Sequence, residues 1–299
     1  MTAEIDGRAE LTRLLFAAEH AVDIAAGAVV RGRAQVKALI DKGDYDFATV
    51  ADIEVERLVR AHLHHEAPGI PFLGEEEGGE GLMSEALWIL DPIDGTANYA
   101  AGSPICAISL ALLRRGEPVL GIVAAPLLGE RFVAVKGGGA FLNGARIQVG
   151  SRELSDRLVA LSDFAFGRKH RDTNRLRFAV IEELVRRAMR LRIHGSVALD
   201  LAWLAAGRLS ATVALSNLPW DVTAGVLLVR EAGGAVFDDT GAPYGPRSST
   251  TIAAIPAMRD PLVSVIATAR ASVAGTDPFE GQSPMTGDPV APSVPPATD

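Results

Sequence analysis

The sequence predicts an α/β protein whose first half is α+β and whose second half is α/β. In residues 105–149, β-rich segments follow one another and are separated by short turns, a pattern typical of an antiparallel sheet. After about residue 150, strand-like segments alternate with helical ones, which favours an α/β arrangement. No internal repeat is evident, so the pattern does not indicate a repeat architecture.

The first hundred residues are predicted to hold two helices and two short strands. Apolar residues recur at helical spacing over residues 8–30, and Thr49 is a favourable N-cap for a second helix. Between the helices, the polar, glycine-bearing stretch KALIDKGDYDFAT (37–49) predicts a loop. The predicted elements are helices over residues 8–30 and 49–65 and strands at IPFLG (70–74) and Trp88–Leu90, with the acidic loop EEEGGEG (75–81) between the strands.

The remaining elements follow from the same patterns. CAISLALL, VLGIVAAP and RFVAVK are β-rich, and the pair Asn143-Gly144 is a strong signal for a two-residue hairpin. Beyond residue 150 the predicted order is strand LVALS, helix 173–190, the segment LRIH, helix 196–206, strand ATVAL, helix 221–232, strands AVFD and TIAAI, and helix 258–272. We therefore expect an N-terminal half over residues 1–150, a C-terminal half over residues 151–273, and a disordered tail over residues 274–299, which is rich in Pro, Gly, Ser, Thr and Asp.

Composition narrows the class of protein. With 48% hydrophobic and 22% charged residues, the chain has the composition of a soluble globular protein. A net charge of −8 argues against a nucleic-acid-binding protein, which usually carries a basic face. No apolar run is long enough to span a bilayer and the N-terminus lacks an apolar signal segment, so we expect a cytoplasmic location. The lone cysteine, Cys106, lies in an apolar run, which predicts a buried thiol.

Residues 88–98, WILDPIDGTAN, place two acids where an apolar strand stops. Pro92 biases Asp91 toward an extended conformation, and Gly95 permits a sharp turn. The carboxylates of Asp91 and Asp94, with the Ile93 carbonyl between them, would form a set of hard oxygen ligands that suits Mg²⁺. A short helix opening at Gly95 would offer N–H groups to a phosphate. Taken alone, this stretch is more simply explained as a surface turn with capping carboxylates.

Other acids occupy comparable positions elsewhere in the chain. Glu75 and Glu76 follow the apolar segment FLG, just as Asp91 follows WIL. Asp221 opens an apolar, glycine-containing helix, and Asp52 lies early in the second helix. Four segments thus place acids at the ends of elements, where active sites tend to form.

In these segments the chain resembles the inositol monophosphatase family of Mg²⁺-dependent phosphatases. The motifs GEE (74–76), WILDPIDGT (88–96), PWDVTAG (219–225) and REAGG (230–234) match the family's signatures in order and spacing. DFATVAD (46–52) is similar to its mobile-loop motif, and HGSVALDLAWLAAG (194–207) fits the segment before the last acid. The resemblance covers about residues 8–270 and implies the layered α-β-α-β-α sandwich of the inositol monophosphatase and fructose-1,6-bisphosphatase type.

The resemblance also implies roles for particular residues. It implies two or three Mg²⁺ ions, a water activated with the help of Thr96, Glu75 and Asp52 for attack on phosphorus, and a homodimer. The implied metal ligands are Glu75, Asp91, the Ile93 carbonyl, Asp94 and Asp221, with Asp52 near a third, weaker site. The implied substrate contacts are Asp94, Gly95, Thr96, Gly195, Ser196 and Asp221, with Asp200 nearby in the motif.

The substrate is less determined than the chemistry. Inositol-selective members of the family carry an acid seven residues before the last aspartate, where this chain has Ala214, whose methyl group cannot accept hydrogen bonds. Ser216 and Asn217 are candidate replacements. Inositol 1-phosphate therefore stands beside histidinol phosphate, fructose 1,6-bisphosphate and adenosine 3′,5′-bisphosphate as a candidate small phosphorylated metabolite. A non-catalytic relative that binds a phosphorylated ligand is a different class, against which the complete acid set and Thr96 argue.

Two further segments carry competing interpretations. GRKHRD (167–172) is either a solvated loop or a source of contacts from Arg168, Lys169 or Arg171 to an anionic part of the substrate. HLHH (62–65) could suggest a transition-metal site, but its spacing and lack of a supporting acid favour an exposed helix end.

Overall fold

The computed structural model describes residues 2–33, 39–43, 46–79, 81, 84–150, 158–164, 171–187, 189–245 and 247–274. The helices are α1 (Thr2–Gly32), α2 (Val50–Glu66), α3 (Thr96–Ala100), α4 (Arg171–Arg186), α5 (Val197–Ala205), α6 (Pro219–Glu231) and α7 (Arg259–Val273). The strands are β1 (Leu39–Gly43), β2 (Asp46–Thr49), β3 (Phe72–Gly74), β4 (Gly78–Gly79), β5 (Ala86–Asp94), β6 (Ala107–Arg114), β7 (Glu117–Ala125), β8 (Glu130–Val135), β9 (Gly139–Leu142), β10 (Ala145–Ile147), β11 (Leu158–Leu161), β12 (Arg190–Arg192), β13 (Ala211–Ala214), β14 (Ala235–Phe237) and β15 (Thr251–Ala254).

Two large sheets organise the described chain. The first has eight strands in the order β10-β9-β8-β7-β6-β5-β3-β4, and from β5 to β10 it is an antiparallel meander. Asn143 and Gly144 both have positive φ in the turn between β9 and β10, as the sequence signal predicts. The second sheet has five strands in the order β12-β11-β13-β15-β14, and its first three strands are parallel.

Strands β5 to β7 of the first sheet are buried on both faces, which explains why their sequences are largely apolar. Along β6, Leu110 and Leu112 pack with α1 and α2, whereas Ala111 between them packs in the core that contains α5 and α6. Helices α5 and α6 also contact the second sheet, and α4 and α7 pack together beyond it. These contacts give the layer order α-β-α-β-α, so the predicted fold class is confirmed.

The structure corrects two details of the predicted elements. The stretch 37–49, predicted as a loop, forms the antiparallel pair β1–β2 over its described residues, because backbone pairing in a hairpin needs no apolar side-chain pattern. The strand predicted at Trp88–Leu90 runs on to Asp94, so the two acids lie within β5 and not beyond it. Of the predicted tail, residues 275–299 lie outside the described residues, and so do residues 167–170 of the basic segment. Among the described residues, no helix is long and apolar enough to cross a membrane.

Candidate active site

A bulge in β5 turns both of its aspartates to the same side. Asp91 pairs with Ser109 of β6 and Asp94 pairs with Ala107, so β5 has two residues where β6 has one. Residues three apart on a regular strand point to opposite faces, and the one extra residue cancels that difference. Pro92, which has no N–H to donate, occupies the bulge, where proline is tolerated within a sheet.

The third acid of the cluster comes from the other end of the chain. Asp221 lies in the first turn of α6, and one carboxylate oxygen from each of Asp91, Asp94 and Asp221 lies within 4.8 Å of the others. The Ser109 hydroxyl donates to the Trp220 carbonyl at 2.8 Å, which fixes the start of α6 against β6. Among the described residues, this is the one group of three or more His, Cys, Asp or Glu side chains close enough to share a metal ion.

Electrostatics in the cluster favour a bound cation. Burial raises the pKa of Asp91 well above its usual range, and the charges of Glu75, Asp94 and Asp221 raise it further. Burial also raises the pKa of Asp94 to about 7, although two hydrogen bonds to its carboxylate oppose the shift. Buried carboxylates at this spacing repel one another unless a cation or protons neutralise them. An all-oxygen donor set of this charge fits a hard divalent cation such as Mg²⁺.

Asp52 and Thr96 meet beside the cluster. Asp52 is fully buried and caps α2, where one of its oxygens accepts hydrogen bonds from the Thr49 N–H at 2.8 Å and from the Thr49 hydroxyl at 2.5 Å. The Thr96 hydroxyl lies 3.1 Å from the other oxygen of Asp52 and 3.1 Å from the Ile93 carbonyl oxygen. The structure therefore brings these three predicted residues to one place.

The N-terminus of α5 holds Asp94. The Ser196 hydroxyl donates to Asp94 Oδ2 at 2.6 Å and the Ala198 N–H donates to the same oxygen at 2.7 Å. Gly195 also lies close to Gly95, where φ is +92° and a Cβ would come within 2.9 Å of the Gly195 carbonyl oxygen. Only glycine is tolerated at such a position, so the turn after β5 and the start of α5 pack backbone against backbone.

Glu75 is positioned by a residue that the sequence did not single out. The Glu75 N–H donates to the Leu90 carbonyl at 3.1 Å, continuing the parallel pairing of β3 with β5. The next two N–H groups, of Glu76 and Glu77, donate to the fully buried carboxylate of Glu56 at 2.8 and 3.1 Å. Arg60 pairs with Glu56 one turn along α2, at 2.6 Å. The signal available was weak, an acid and an arginine four residues apart, which usually marks an exposed face.

Asn98, His194 and Asp200 form a second supporting layer that sequence reasoning did not assign. The Asn98 amide donates to the carbonyls of Ile105 at 2.8 Å and His194 at 2.6 Å, tying α3 to the segment before α5. His194 Nδ1 lies 2.5 Å from Asp200 Oδ1. Burial raises the pKa of Asp200 to about 6, and the His194 side chain opposes the shift.

The cysteine, the histidine cluster and Asn217, which the sequence also offered as candidates, have contacts that fit a structural role. Cys106 is buried, and burial raises the pKa of its thiol to about 12, which fits an unreactive structural cysteine. His62 stacks edge-on against His20 with ring centroids 4.7 Å apart, and His64 and His65 are exposed. Asn217 Oδ1 accepts hydrogen bonds from the Tyr244 hydroxyl at 2.9 Å and from the Thr251 hydroxyl at 3.1 Å. Asn217 is thus engaged within the fold and does not replace the acid missing at Ala214.

Comparisons with known proteins show which family the chain belongs to. The family model described as the inositol monophosphatase family matches residues 10–272. The inositol-1-monophosphatase ImpA of Mycolicibacterium smegmatis is 40% identical over 267 residues, which are 89% of this chain and 96% of that protein. The chain belongs to the inositol monophosphatase family.

Two other matches bear on fold and function. A Thermotoga maritima IMPase structure superposes with a TM-score of 0.78 at 30% identity and covers 89% of this chain and 99% of its own. The Nus factor SuhB of Xylella fastidiosa is 37% identical over 221 residues, 72% of this chain and 79% of that protein. The expectation of a phosphoric monoester hydrolase of this family is confirmed by the family match and by the ImpA relative.

Proposed function

We propose that this chain hydrolyses a small phosphate monoester resembling inositol 1-phosphate, with Mg²⁺ as its cofactor. The observation that carries the proposal is the convergence of Asp91, Asp94 and Asp221 from distant parts of the chain, with one carboxylate oxygen of each inside 4.8 Å. Three buried or half-buried acids at that spacing are costly to assemble without a cation to neutralise them. Names of relatives such as inositol-1-monophosphatase support the substrate class.

The metal ligands would be Glu75, Asp91, the Ile93 carbonyl, Asp94 and Asp221, with Asp52 near a third ion. Mg²⁺ bound there would neutralise phosphate charge and would make hydroxide available from water at neutral pH as the nucleophile. The protein then needs no nucleophile of its own, in keeping with the buried state of Cys106.

The chain's own groups would orient the reactants. Asp52 accepts a hydrogen bond from the Thr96 hydroxyl. The lone pairs of the hydroxyl oxygen are then available to accept a hydrogen bond from an incoming water. Together with Glu75, whose charge acts on Asp91 and Asp94, this pair would position that water for attack on phosphorus. The backbone at Gly95, Thr96, Gly195 and Ser196 would contact the phosphate ester, while Ser196 and Ala198 hold Asp94 in place.

The proposal also covers the two halves of the chain, its location, its oligomeric state and the alternative substrates. We place the residues of the N-terminal half (1–150) and of the C-terminal half (151–273) on either side of the active site, and we expect a cytoplasmic homodimer, by similarity to the family. Hydrolysis of histidinol phosphate, fructose 1,6-bisphosphate or adenosine 3′,5′-bisphosphate is the alternative within the same chemistry. The alternative to phosphatase chemistry is a non-catalytic relative that binds a phosphorylated ligand, and one relative is named as a Nus factor. The Thr96–Asp52 pair argues against it, because a binding protein has no need to orient a water.

The deciding experiment measures phosphate release from inositol 1-phosphate with and without Mg²⁺. We expect release to require Mg²⁺ and to fall more than about 100-fold in Asp94→Asn and Asp221→Asn, since losing even supporting partners of metal ligands costs about 10–100-fold. Mg²⁺ should also raise the thermal midpoint of the wild type, as any ligand of the native state does, and raise it much less in the variants. Asp260→Asn, an exposed acid on α7, is the matched control. Metal-independent turnover, or wild-type activity in Asp221→Asn, would refute the proposal.

A further inference from the structure

Three parallel strands of the second sheet end beside the acidic cluster. They lie in the order β12-β11-β13, and all three run in the same direction. The chain that follows β12 reaches Ser196, which donates to Asp94, and the chain that follows β13 reaches Asp221. The chain that follows the middle strand, β11, therefore leaves the sheet between two segments that both reach the cluster. Carboxyl ends of parallel strands are where α/β proteins bind ligands.

Asp163 stands at that position, two residues past the end of β11. Its carboxylate lies next to Gly195, because a Cβ built on Gly195 would come within 3.1 Å of Asp163 Oδ2 and within 2.9 Å of the Asn98 amide nitrogen. The Asp163 residue is exposed to solvent, and no hydrogen bond to its carboxylate is found among the described residues. Partial burial raises its pKa, and the charge of Arg177 opposes that shift. A carboxylate that accepts no hydrogen bond from the described residues thus lies beside Gly195.

At the neighbouring strand ends, the side chains of Ala214, Asn217 and Asp200 do not offer an equivalent free carboxylate. Leu161 of β11 is level with Val213 of β13, and the Ser162 N–H donates to the Val213 carbonyl at 3.1 Å, so Asp163 lies just past the level of Ala214. Ala214 has only a methyl group, and the Asn217 side chain is engaged with Tyr244 and Thr251. On the other side, the Asp200 carboxylate is held by His194.

We propose that Asp163 determines substrate specificity by accepting hydrogen bonds from hydroxyl groups on the organic part of the phosphate ester. This inference rests on the proposed phosphatase function and adds to it the residue that selects substrates bearing hydroxyl groups over those without them. An ionised carboxylate is an acceptor only, so it complements hydroxyl donors. The same negative charge repels a second phosphate at that end of the substrate, and such a repulsive element excludes bisphosphates.

The test compares three substrates in Asp163→Ala and Asp163→Asn. Inositol 1-phosphate has hydroxyls, phenyl phosphate has none, and fructose 1,6-bisphosphate carries a second phosphate. In Asp163→Ala we expect kcat/KM to fall about 10- to 100-fold for inositol 1-phosphate, mainly through KM, as for loss of a hydrogen bond to a charged group. For phenyl phosphate kcat/KM should stay within about twofold, because no hydroxyl contact is lost. For fructose 1,6-bisphosphate the ratio of kcat/KM to that for inositol 1-phosphate should rise in both variants.

The controls distinguish a failure of the role of Asp163 from a failure of the proposed phosphatase function. Asp163→Asn keeps the shape of the side chain and one acceptor oxygen, so its kcat/KM for inositol 1-phosphate should lie between those of the wild type and Asp163→Ala. If the alanine variant does not fold, the asparagine variant alone provides the test. Asp260→Asn should leave all three substrates unchanged. Equal losses on phenyl phosphate and inositol 1-phosphate, or no loss on either, would overturn the role of Asp163 and leave the phosphatase intact. A wild type that hydrolyses none of the three in Mg²⁺ would overturn the proposed function and this inference with it.

Discussion

The Thr96 hydroxyl has one proton and two hydrogen-bond acceptors within reach. It lies 3.1 Å from both Asp52 Oδ1 and the Ile93 carbonyl oxygen, yet it has one hydrogen to donate. If Ile93 ligates a metal, the cation withdraws electron density from its carbonyl oxygen and leaves it the weaker of the two acceptors. The Thr96 proton is then committed to Asp52, and the lone pairs of the hydroxyl oxygen are fixed in direction.

Removing the Thr96 hydroxyl should therefore slow the chemical step more than binding. Thr96→Val is close in shape and cannot orient a water, so we expect kcat for inositol 1-phosphate to fall about 10²- to 10⁴-fold, the range typical of a proton-transfer partner. KM should change by less, since the backbone is unaltered. Thr96→Ser, which retains the hydroxyl, should keep most of the activity. Steady-state kinetics at saturating Mg²⁺ measure both, and an unchanged kcat in Thr96→Val would remove Thr96 from the mechanism.

Sequence reasoning identified the residues of the cluster but not those that hold them. Asp91, Asp94 and Asp221 stand in short motifs that indicate a site only when they are compared with one another and with the family, since the stretch around Asp91 and Asp94 taken alone fits a surface turn. Glu56 and Asn98 have no such motif, because their partners are backbone groups that come together only in the folded chain. Supporting residues of this kind depend on tertiary distances that spacing along the chain does not encode.

At the scale of elements, the start of α5 depends on the pair His194–Asp200. Asp200 is almost fully buried and lies one turn into α5, while His194 precedes the Ser196 cap. Because burial raises the pKa of Asp200 to about 6 from 3.8, the folded state binds a proton at this carboxyl more tightly than the unfolded chain does. The stabilisation that results is complete below about pH 4 and is lost as the pH rises through 6.

Asp200→Asn removes the titrating carboxyl, so comparing the variant with the wild type should show how this carboxyl makes stability depend on pH. We expect the free energy of unfolding of the wild type, minus that of Asp200→Asn, to fall by about 3 kcal/mol between pH 4 and pH 7, the equivalent of a shift of about two pKa units. Urea unfolding at a series of pH values measures the difference. The charge of Asp200 also raises the pKa of Asp94, so the measured difference includes the change that Asp200→Asn makes to Asp94. A flat profile for Asp200→Asn would show that the carboxyl is not perturbed.

The elements themselves were predictable where a periodic pattern was long. Helix α1 and the meander β6–β10 have such patterns, and the structure contains both. The bulge in β5 was not predictable from WILDPIDGT, since one extra residue is defined only against the register of β6. The hairpin β1–β2 was missed for a related reason, because its pairing is between backbone groups and its strands, LIDKG and DFAT, show no regular alternation of apolar and polar residues.

At the scale of the whole molecule, α6 joins the two sheets and carries Asp221 to the acids of β5. Its apolar residues are buried, and it packs against β5 to β9 on one side and against α5, β14 and β15 on the other. The closest approach is at Gly121 of β7, where a Cβ would lie 2.8 Å from the Ala224 carbonyl oxygen and 3.0 Å from its Cα. A side chain at Gly121 would have to push the helix backbone away from the sheet.

Gly121→Ala should therefore weaken both the fold and the metal site. Added volume in a packed interior costs about 1–3 kcal/mol, and a shift of α6 moves Asp221 relative to Asp91 and Asp94. We expect a lower thermal midpoint and a higher Mg²⁺ concentration for half-maximal phosphatase activity. Gly69→Ala, where a Cβ would meet nothing within 4 Å, is the matched control and should change neither. A Gly121→Ala protein that is destabilised but keeps its Mg²⁺ requirement unchanged would show that the cluster tolerates movement of α6, and that Asp221 is held by local contacts at the start of the helix.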